Sequence, residues 1–260
     1  MTSVSGSGER ILAILDLFSE ARPVWLPEEM MERLGYSRPT LYRYLKTLKD
    51  SGYLTSLNHD GFTLGPRVTE LDYLMRRSDP MISAGAPVLS ELAEKFPGSA
   101  LLVRWYGDKL LCVSSLVSTE TPRTSYPRGR PMPLGKGAIS RAIVAFLPAR
   151  ARRKYIEDHL QEFSVAGVGA TVDSVLTTLR QVRRDGVATA WGEVTSGVVG
   201  VAAPVLGTDH SPQGAVCLTS DEADITDTRL EQIRHEVRIS AANVAGHMIR
   251  LQQDATVGAT

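Results

Sequence analysis

Apolar residues recur at helical spacing through the first fifty positions, and at strand spacing only beyond them. Ile11, Ile14, Leu15 and Phe18 share one face of a helix that the Arg22-Pro23 pair should end. Pro27 suits the first position of a second helix, which Met30, Met31 and Leu34 continue and Gly35 closes. Ser37 is placed to cap a third helix, in which Leu41, Leu45 and Leu48 fall at i, i+4 and i+7 and therefore face a core. Gly52 ends it. Two strand-like pieces, 53–55 and 62–64, then flank Asn58-His59-Asp60-Gly61, a stretch rich in turn-forming residues. Helix, helix, tight turn, helix, hairpin is the order of a winged helix-turn-helix, expected over residues 1–65. A plain three-helix bundle with a solvated basic face is the alternative. The short Leu34–Ser37 turn and the immediate hairpin favour the winged form.

The polar side of the third helix changes the picture from fold to partner. With the leucines turned inward, Arg38, Tyr42, Arg43, Lys46 and Lys49 are left outside. Arginine forks match guanine edges and phosphates, and lysines match phosphates, so this face suits the major groove of duplex DNA. Ser37 and Thr40 in the first turn and His59 in the hairpin turn complete the candidate DNA contacts.

Gly65-Pro66 opens a linker, expected over 66–79, whose Val68, Leu71, Leu74 and Met75 make an apolar helical stripe able to pack in a dimer. Ser78-Asp79-Pro80 breaks it, and a second domain should fill 80–260. There, a helix carrying Val88, Leu89, Leu92 and Phe96 precedes strand-like runs 100–106 and 110–116, joined by Gly107-Asp108. Helices are expected over 138–147, 151–162 and 172–184. Strands follow over 198–206 and 214–219, and a last helix over 227–252. Strands grouped between helices give an α+β domain on an antiparallel sheet.

Composition limits the function classes. Hydrophobic residues form 43% of the chain, enough for sizeable cores rather than wholesale disorder. The 29 basic and 29 acidic residues cancel, so nucleic-acid binding has to rest on local charge. That charge is uneven: Arg33 to Lys49 holds five bases and no acid, and a second acid-free basic stretch runs from Arg123 to Lys154. Cys112 and Cys217 lie in apolar runs and read as buried free thiols. No run approaches the roughly 18 apolar residues of a membrane span, and the first ten residues carry no secretory pattern. A soluble, cytoplasmic protein without membrane contact is expected. No catalytic residues are singled out. Lys136 is not part of a phosphate-binding loop, because Arg130 stands where that motif needs glycine and Gly137 where it needs Ser or Thr. The five histidines are scattered, so neither a metal site nor a cofactor is expected.

The segments ERILAILDLF, YSRPTLYRYLKTLKDSGYL, GFTLGPRVTEL, RGRPMPLGKGAISRAIVAFLP, RRDGVATAWGEVTSGVVGVAAPVLG and GAVCLTS follow one another in an order that resembles the IclR family of bacterial regulators. Ser140-Arg141 stand where members usually show Gly-Lys. The resemblance implies a transcriptional regulator rather than an enzyme, built from a winged helix-turn-helix and a GAF-like effector-binding domain. Its partners would be double-stranded operator DNA, a small organic or aromatic acid, and further copies in a homodimer or homotetramer. It points to the loop Met132–Leu134 and to Val198, Gly200, Cys217 and Thr219 as effector-binding positions, with Trp191 and Glu193 at the rim. Residues two apart share one face of a strand, so 198/200 and 217/219 also meet an independent geometric condition. Ordinary core packing is the competing role for each. Arg104, Arg123, Arg128 and Arg130 are further candidates to meet an acidic ligand, with surface salt bridging the favoured alternative for each.

Overall fold

The computed structural model describes residues 6–57, 61–120, 122–123 and 126–257. They form two compact units that divide between Ser78 and Asp79.

The first unit holds α1 (Ser7–Leu15), α2 (Pro27–Leu34), α3 (Arg38–Asp50), β1 (Leu54–Ser56), β2 (Phe62–Leu64) and α4 (Pro66–Ser78). Ile14, Met30, Leu41, Leu45, Leu48 and Leu54 form its core. Truncating a leucine such as Leu45 there would cost about 2–5 kcal/mol. Tyr44, which the leucine pattern left out, is also buried and its hydroxyl receives Ser7 Oγ at 3.3 Å. Helix α1 stops well before Pro23. The Leu17 carbonyl is taken by the Trp25 indole N–H at 2.9 Å, and Ser19 and Arg22 close a turn through reciprocal backbone bonds. Gly35 ends α2 in the left-handed region, φ 69°, with its N–H on the Met31 carbonyl. Ser37 occupies the cap position of α3 without capping it. The residue two beyond is Pro39, which has no N–H, and the Ser37 hydroxyl bonds the Thr40 hydroxyl at 3.0 Å instead. Strands β1 and β2 pair antiparallel, Leu54 opposite Leu64, and Trp25 bridges to β2 through two backbone bonds to Phe62.

The second unit begins with α5 (Pro80–Lys95), capped by Asp79, whose carboxylate receives the Met81 N–H at 2.8 Å. Then come β3 (Ser99–Trp105), β4 (Leu110–Val117), α6 (Gly137–Val144), α7 (Ala149–Asp158), α8 (Leu160–Val165), α9 (Val172–Asp185), β5 (Ala188–Trp191), β6 (Val198–Leu206), β7 (Pro212–Asp221) and α10 (Asp227–Val257). The five strands lie in the order β4-β3-β7-β6-β5, every neighbouring pair antiparallel. Strand alternation divides the core. Ala100, Leu102, Val199, Val201, Val216 and Leu218 meet α5 and α10 on one face. Leu101, Val103, Cys112, Ala202 and Cys217 meet α6 and its neighbouring helices on the other.

The second unit departs from expectation in three places. The single helix over 151–162 is two helices, broken at His159. The break lets α8 fold back until Glu162 Oε2 accepts the Gly135 N–H at 2.9 Å. A side chain at Gly135 would collide with α8, because its Cβ would lie 2.4 Å from that of Glu162. Strand β5 was not foreseen, and α10 runs five residues beyond 252.

Candidate functional site

Helix α3 presents Arg38, Tyr42, Arg43, Lys46 and Lys49 to solvent. Among the described residues none of its four bases has a carboxylate partner. The Arg38 guanidinium lies 5.4 Å from the Tyr42 ring, and that of Arg43 5.2 Å from Tyr44. A helix pinned to a core by leucines, with unneutralised bases outward, can offer those charges to phosphates and base edges without first breaking ion pairs. Ser37 and Thr40 sit at the exposed N-terminal turn. His59 lies outside the described residues.

In the second unit one cavity, partly open to solvent, lies between the sheet and the N-terminus of α6. The strand register builds its wall. Gly200 stands opposite both Ala190 and Thr219, while Leu101 stands opposite Cys217. All of these, with Val198, line the cavity. Met132 and Pro133 close one side, Lys136 and the first residues of α6 another, and Tyr126, Val194 and Thr195 a third. Six of the eight positions singled out in the sequence thus meet around one space: Met132, Glu193, Val198, Gly200, Cys217 and Thr219.

Two do not. Trp191 follows Ala190 on β5, so alternation turns it away from the cavity, and it is 46% exposed. Leu134 contributes its carbonyl elsewhere, accepting the Tyr155 hydroxyl at 2.8 Å and the Ser140 hydroxyl, and its side chain packs into the neighbouring core. None of the four arginines lines the cavity either. Arg104 lies against Met81 and Asp79, Arg123 pairs with Asp221, Arg128 donates to the Val113 carbonyl, and Arg130 stacks 5.3 Å from the Tyr126 ring.

The electrostatics of the cavity are set by a residue read only as rim. Glu193 is nearly buried. Its Oε1 takes Arg141 Nη1 at 2.7 Å and its Oε2 the Gly137 N–H at 2.8 Å. Its charge is therefore spent inside the protein. Lys136 is the other charged lining residue, and among the described residues it has no carboxylate partner. The remaining surface is chiefly apolar. Burial pushes the Cys217 thiol up to about 12, with Cys112 nearby adding to it, and burial also raises Tyr126. Both groups stay neutral near pH 7. Sequence reasoning missed Lys136, Ala138, Ile139, Ala190 and Tyr126, which come from three separate segments. The basic character of Lys136 beside a helix start was the one available signal.

A winged helix with unneutralised bases, in one chain with a sheet domain that encloses a mostly apolar cavity, defines a DNA-binding, small-molecule-responsive transcriptional regulator. Comparison with known proteins gives the family. The IclR helix-turn-helix domain matches residues 7–57, and the bacterial transcriptional regulator IclR C-terminal domain matches residues 75–245. The chain belongs to the IclR family. It is similar to the HTH-type transcriptional regulator KipR of Bacillus subtilis, 22% identical over 90% of this chain and 93% of that one. It is also similar to XynR of Escherichia coli, 25% identical over 89% and 92%. Its relatives are regulators, and it is a regulator rather than an enzyme. The fold matches an IclR regulator from Alicyclobacillus acidocaldarius with a TM-score of 0.81 at 20% identity, covering 93% of this chain and 98% of that one. It also matches an IclR homologue from Microbacterium hydrocarbonoxydans complexed with 4-hydroxybenzoate, with a TM-score of 0.79 at 15% identity over 94% and 99%. Among the described residues no helix is long and apolar enough to cross a membrane.

Proposed function

We propose that α3 reads double-stranded operator DNA through Arg38, Tyr42, Arg43 and Lys46, with Ser37, Thr40, Lys49 and His59 contacting the phosphate backbone, and that a small organic acid in the cavity controls this binding. The observation that carries the effector class is the charge pattern of the cavity: Glu193 is neutralised by Arg141, Lys136 is not neutralised, and the walls are apolar. A monoanion with an aromatic or aliphatic body fits that pattern. The 4-hydroxybenzoate bound by the Microbacterium relative is of this class. Met132, Val198, Gly200, Cys217 and Thr219 would contact the body of the ligand.

The chain works, in this reading, as a cytoplasmic homodimer or homotetramer, with residues 1–65 as DNA-binding domain, 66–79 as linker helix and 80–260 as effector domain. Leu71, Tyr73, Leu74 and Met75 of α4 are all exposed, which supports a dimer that covers them. Effector would act by binding the DNA-competent and DNA-incompetent arrangements with different affinity.

Calorimetric titration with 4-hydroxybenzoate and its neutral isostere 4-hydroxybenzamide tests the effector class. The acid should bind and the amide should not. Equal affinity, or no binding of the acid at millimolar concentration, contradicts it.

A further inference from the structure

The acid-free basic stretch that ends at Lys154 is not used up by the cavity. Its last part enters α7, and there Arg152 meets two arginines of α9. Arg152 Nη1 donates to the Ala145 carbonyl at 3.0 Å and to that of Leu147 at 3.5 Å. Arg183 Nη1 donates to the same Ala145 carbonyl at 3.3 Å, its guanidinium 5.3 Å from the Phe146 ring. Arg180, one turn back on α9, is exposed and held by the Thr177 hydroxyl at 2.7 Å. Burial, and then the like charges of Arg183 and Arg180, hold the Arg152 guanidinium below its ordinary range. Its Nε is sealed from solvent and has no hydrogen-bond partner among the described residues.

The carbonyls beyond the C-terminus of α6 favour one cation. They do not account for two guanidinium groups on one oxygen with a third close by. Among the described residues no carboxylate pairs with any of the three. Arg180 and Arg183 are exposed and Arg152 is half-buried, so an oxyanion can reach the cluster, and its like charges favour an anion there. Arginine forks are matched to the planar and tetrahedral oxygens of oxyanions.

We infer that Arg152, Arg180 and Arg183 form a second anion site at the C-terminal end of α6, suited to phosphate or a phosphate monoester. The site lies at the opposite end of α6 from the effector cavity. That helix is eight residues long and buried throughout, so the two ends are about 12 Å apart at 1.5 Å per residue. An oxyanion that draws Arg183 away from the Ala145 carbonyl loosens one end of the helix whose other end closes the cavity. The site therefore offers a route by which a phosphorylated metabolite, or phosphate itself, modulates the response to effector.

The test uses the full chain and inorganic phosphate, followed by calorimetry and by melting temperature, against potassium chloride at matched ionic strength. The expected result is saturable phosphate binding that raises the melting temperature, weakened at least tenfold in Arg180→Gln and in Arg183→Gln. Arg180→Gln removes an exposed side chain that, among the described residues, is hydrogen-bonded only to Thr177, so folding is not at risk. Arg183→Lys keeps the charge but not the fork, and should bind with intermediate affinity. An equal response to chloride, or phosphate affinity unchanged in both glutamine variants, means an adventitious ion only and overturns the site. Glycerol 3-phosphate in place of phosphate distinguishes the two ligand sources: tighter binding identifies a monoester, and equal or weaker binding identifies phosphate.

Discussion

Gly200 on β6 and Thr219 on β7 stand directly opposite one another, and a Cβ on Gly200 would lie 3.9 Å from Thr219 Cγ2 and 3.8 Å from Ala138 Cβ. Both contacts are ordinary van der Waals distances. An alanine fits there, and a larger side chain extends into the cavity. Gly200→Leu should abolish the effector response while leaving operator affinity intact. The accompanying loss of stability should not exceed the about 1–3 kcal/mol of an overpacked core. Melting temperature, operator affinity and effector response measured on the same variant decide the matter. A destabilised protein with a wild-type effector midpoint would remove Gly200 from the pocket.

The Glu193–Arg141 pair should be the costliest polar contact to break in the second unit. Both side chains are nearly buried, 12% and 7% exposed. Glu193→Ala leaves a buried guanidinium without its counter-charge and frees the Gly137 N–H. A loss of about 3–5 kcal/mol is expected, read by urea denaturation. Glu193→Gln, which keeps an acceptor for one donor, should lose less. A cost below about 1 kcal/mol for the alanine variant is the value of an exposed pair and would show that the pair is not structural.

Much of this was legible in the sequence, for local reasons. The spacing of Leu41, Leu45 and Leu48 fixes which face of α3 is inward and hence which bases are outward. Gly35 and the Ser78-Asp79-Pro80 break mark helix ends through backbone chemistry that depends on neighbours alone. The family resemblance pointed to Val198, Gly200, Cys217 and Thr219, and the alternation of 198/200 and 217/219 agreed with it. What failed depended on distant partners. Helix α1 ends early because Trp25 takes the Leu17 carbonyl. The break at His159 has no glycine or proline to announce it and follows from the packing of α8 onto Gly135. Strand β5 is four residues of modest strand propensity, stabilised by pairing with β6. Missing it left Trp191 without a register, so its outward direction could not be read.

The two cysteines should be silent in the folded protein. Burial raises Cys112 to about 11 and Cys217 to about 12. Both are therefore protonated thiols at neutral pH, and only the thiolate reacts. Ellman's reagent should label neither until denaturant is added. The linkage has a sign: these thiols add to stability below the ordinary thiol pKa, and the contribution fades as pH climbs through that value toward 11 and 12. Rapid labelling of Cys217 at pH 7 would show a cavity far more open than the one described.

The break after Ser78 should be a functional boundary as well as a structural one. Residues 79–260 contain the complete sheet, both of its helical layers and every cavity residue. Expressed alone, this segment should fold cooperatively and bind 4-hydroxybenzoate with the affinity of the full chain. An unfolded fragment, or a folded one with no affinity where the full chain binds, contradicts the division.

Whether α3 reads operator DNA is decided by one equilibrium titration. Wild type and Arg43→Ala are each titrated with duplex DNA from the chain's own promoter region and with a scrambled duplex, at two salt concentrations. A good arginine–base pair is worth about 1–3 kcal/mol of discrimination. Wild type should prefer the promoter duplex, both affinities should fall with salt, and Arg43→Ala should lose roughly ten- to hundredfold on the promoter duplex, by the same principle, and much less on the scrambled one. Wild-type binding that ignores sequence and salt, or an Arg43→Ala protein that keeps full promoter affinity, would contradict operator reading by α3.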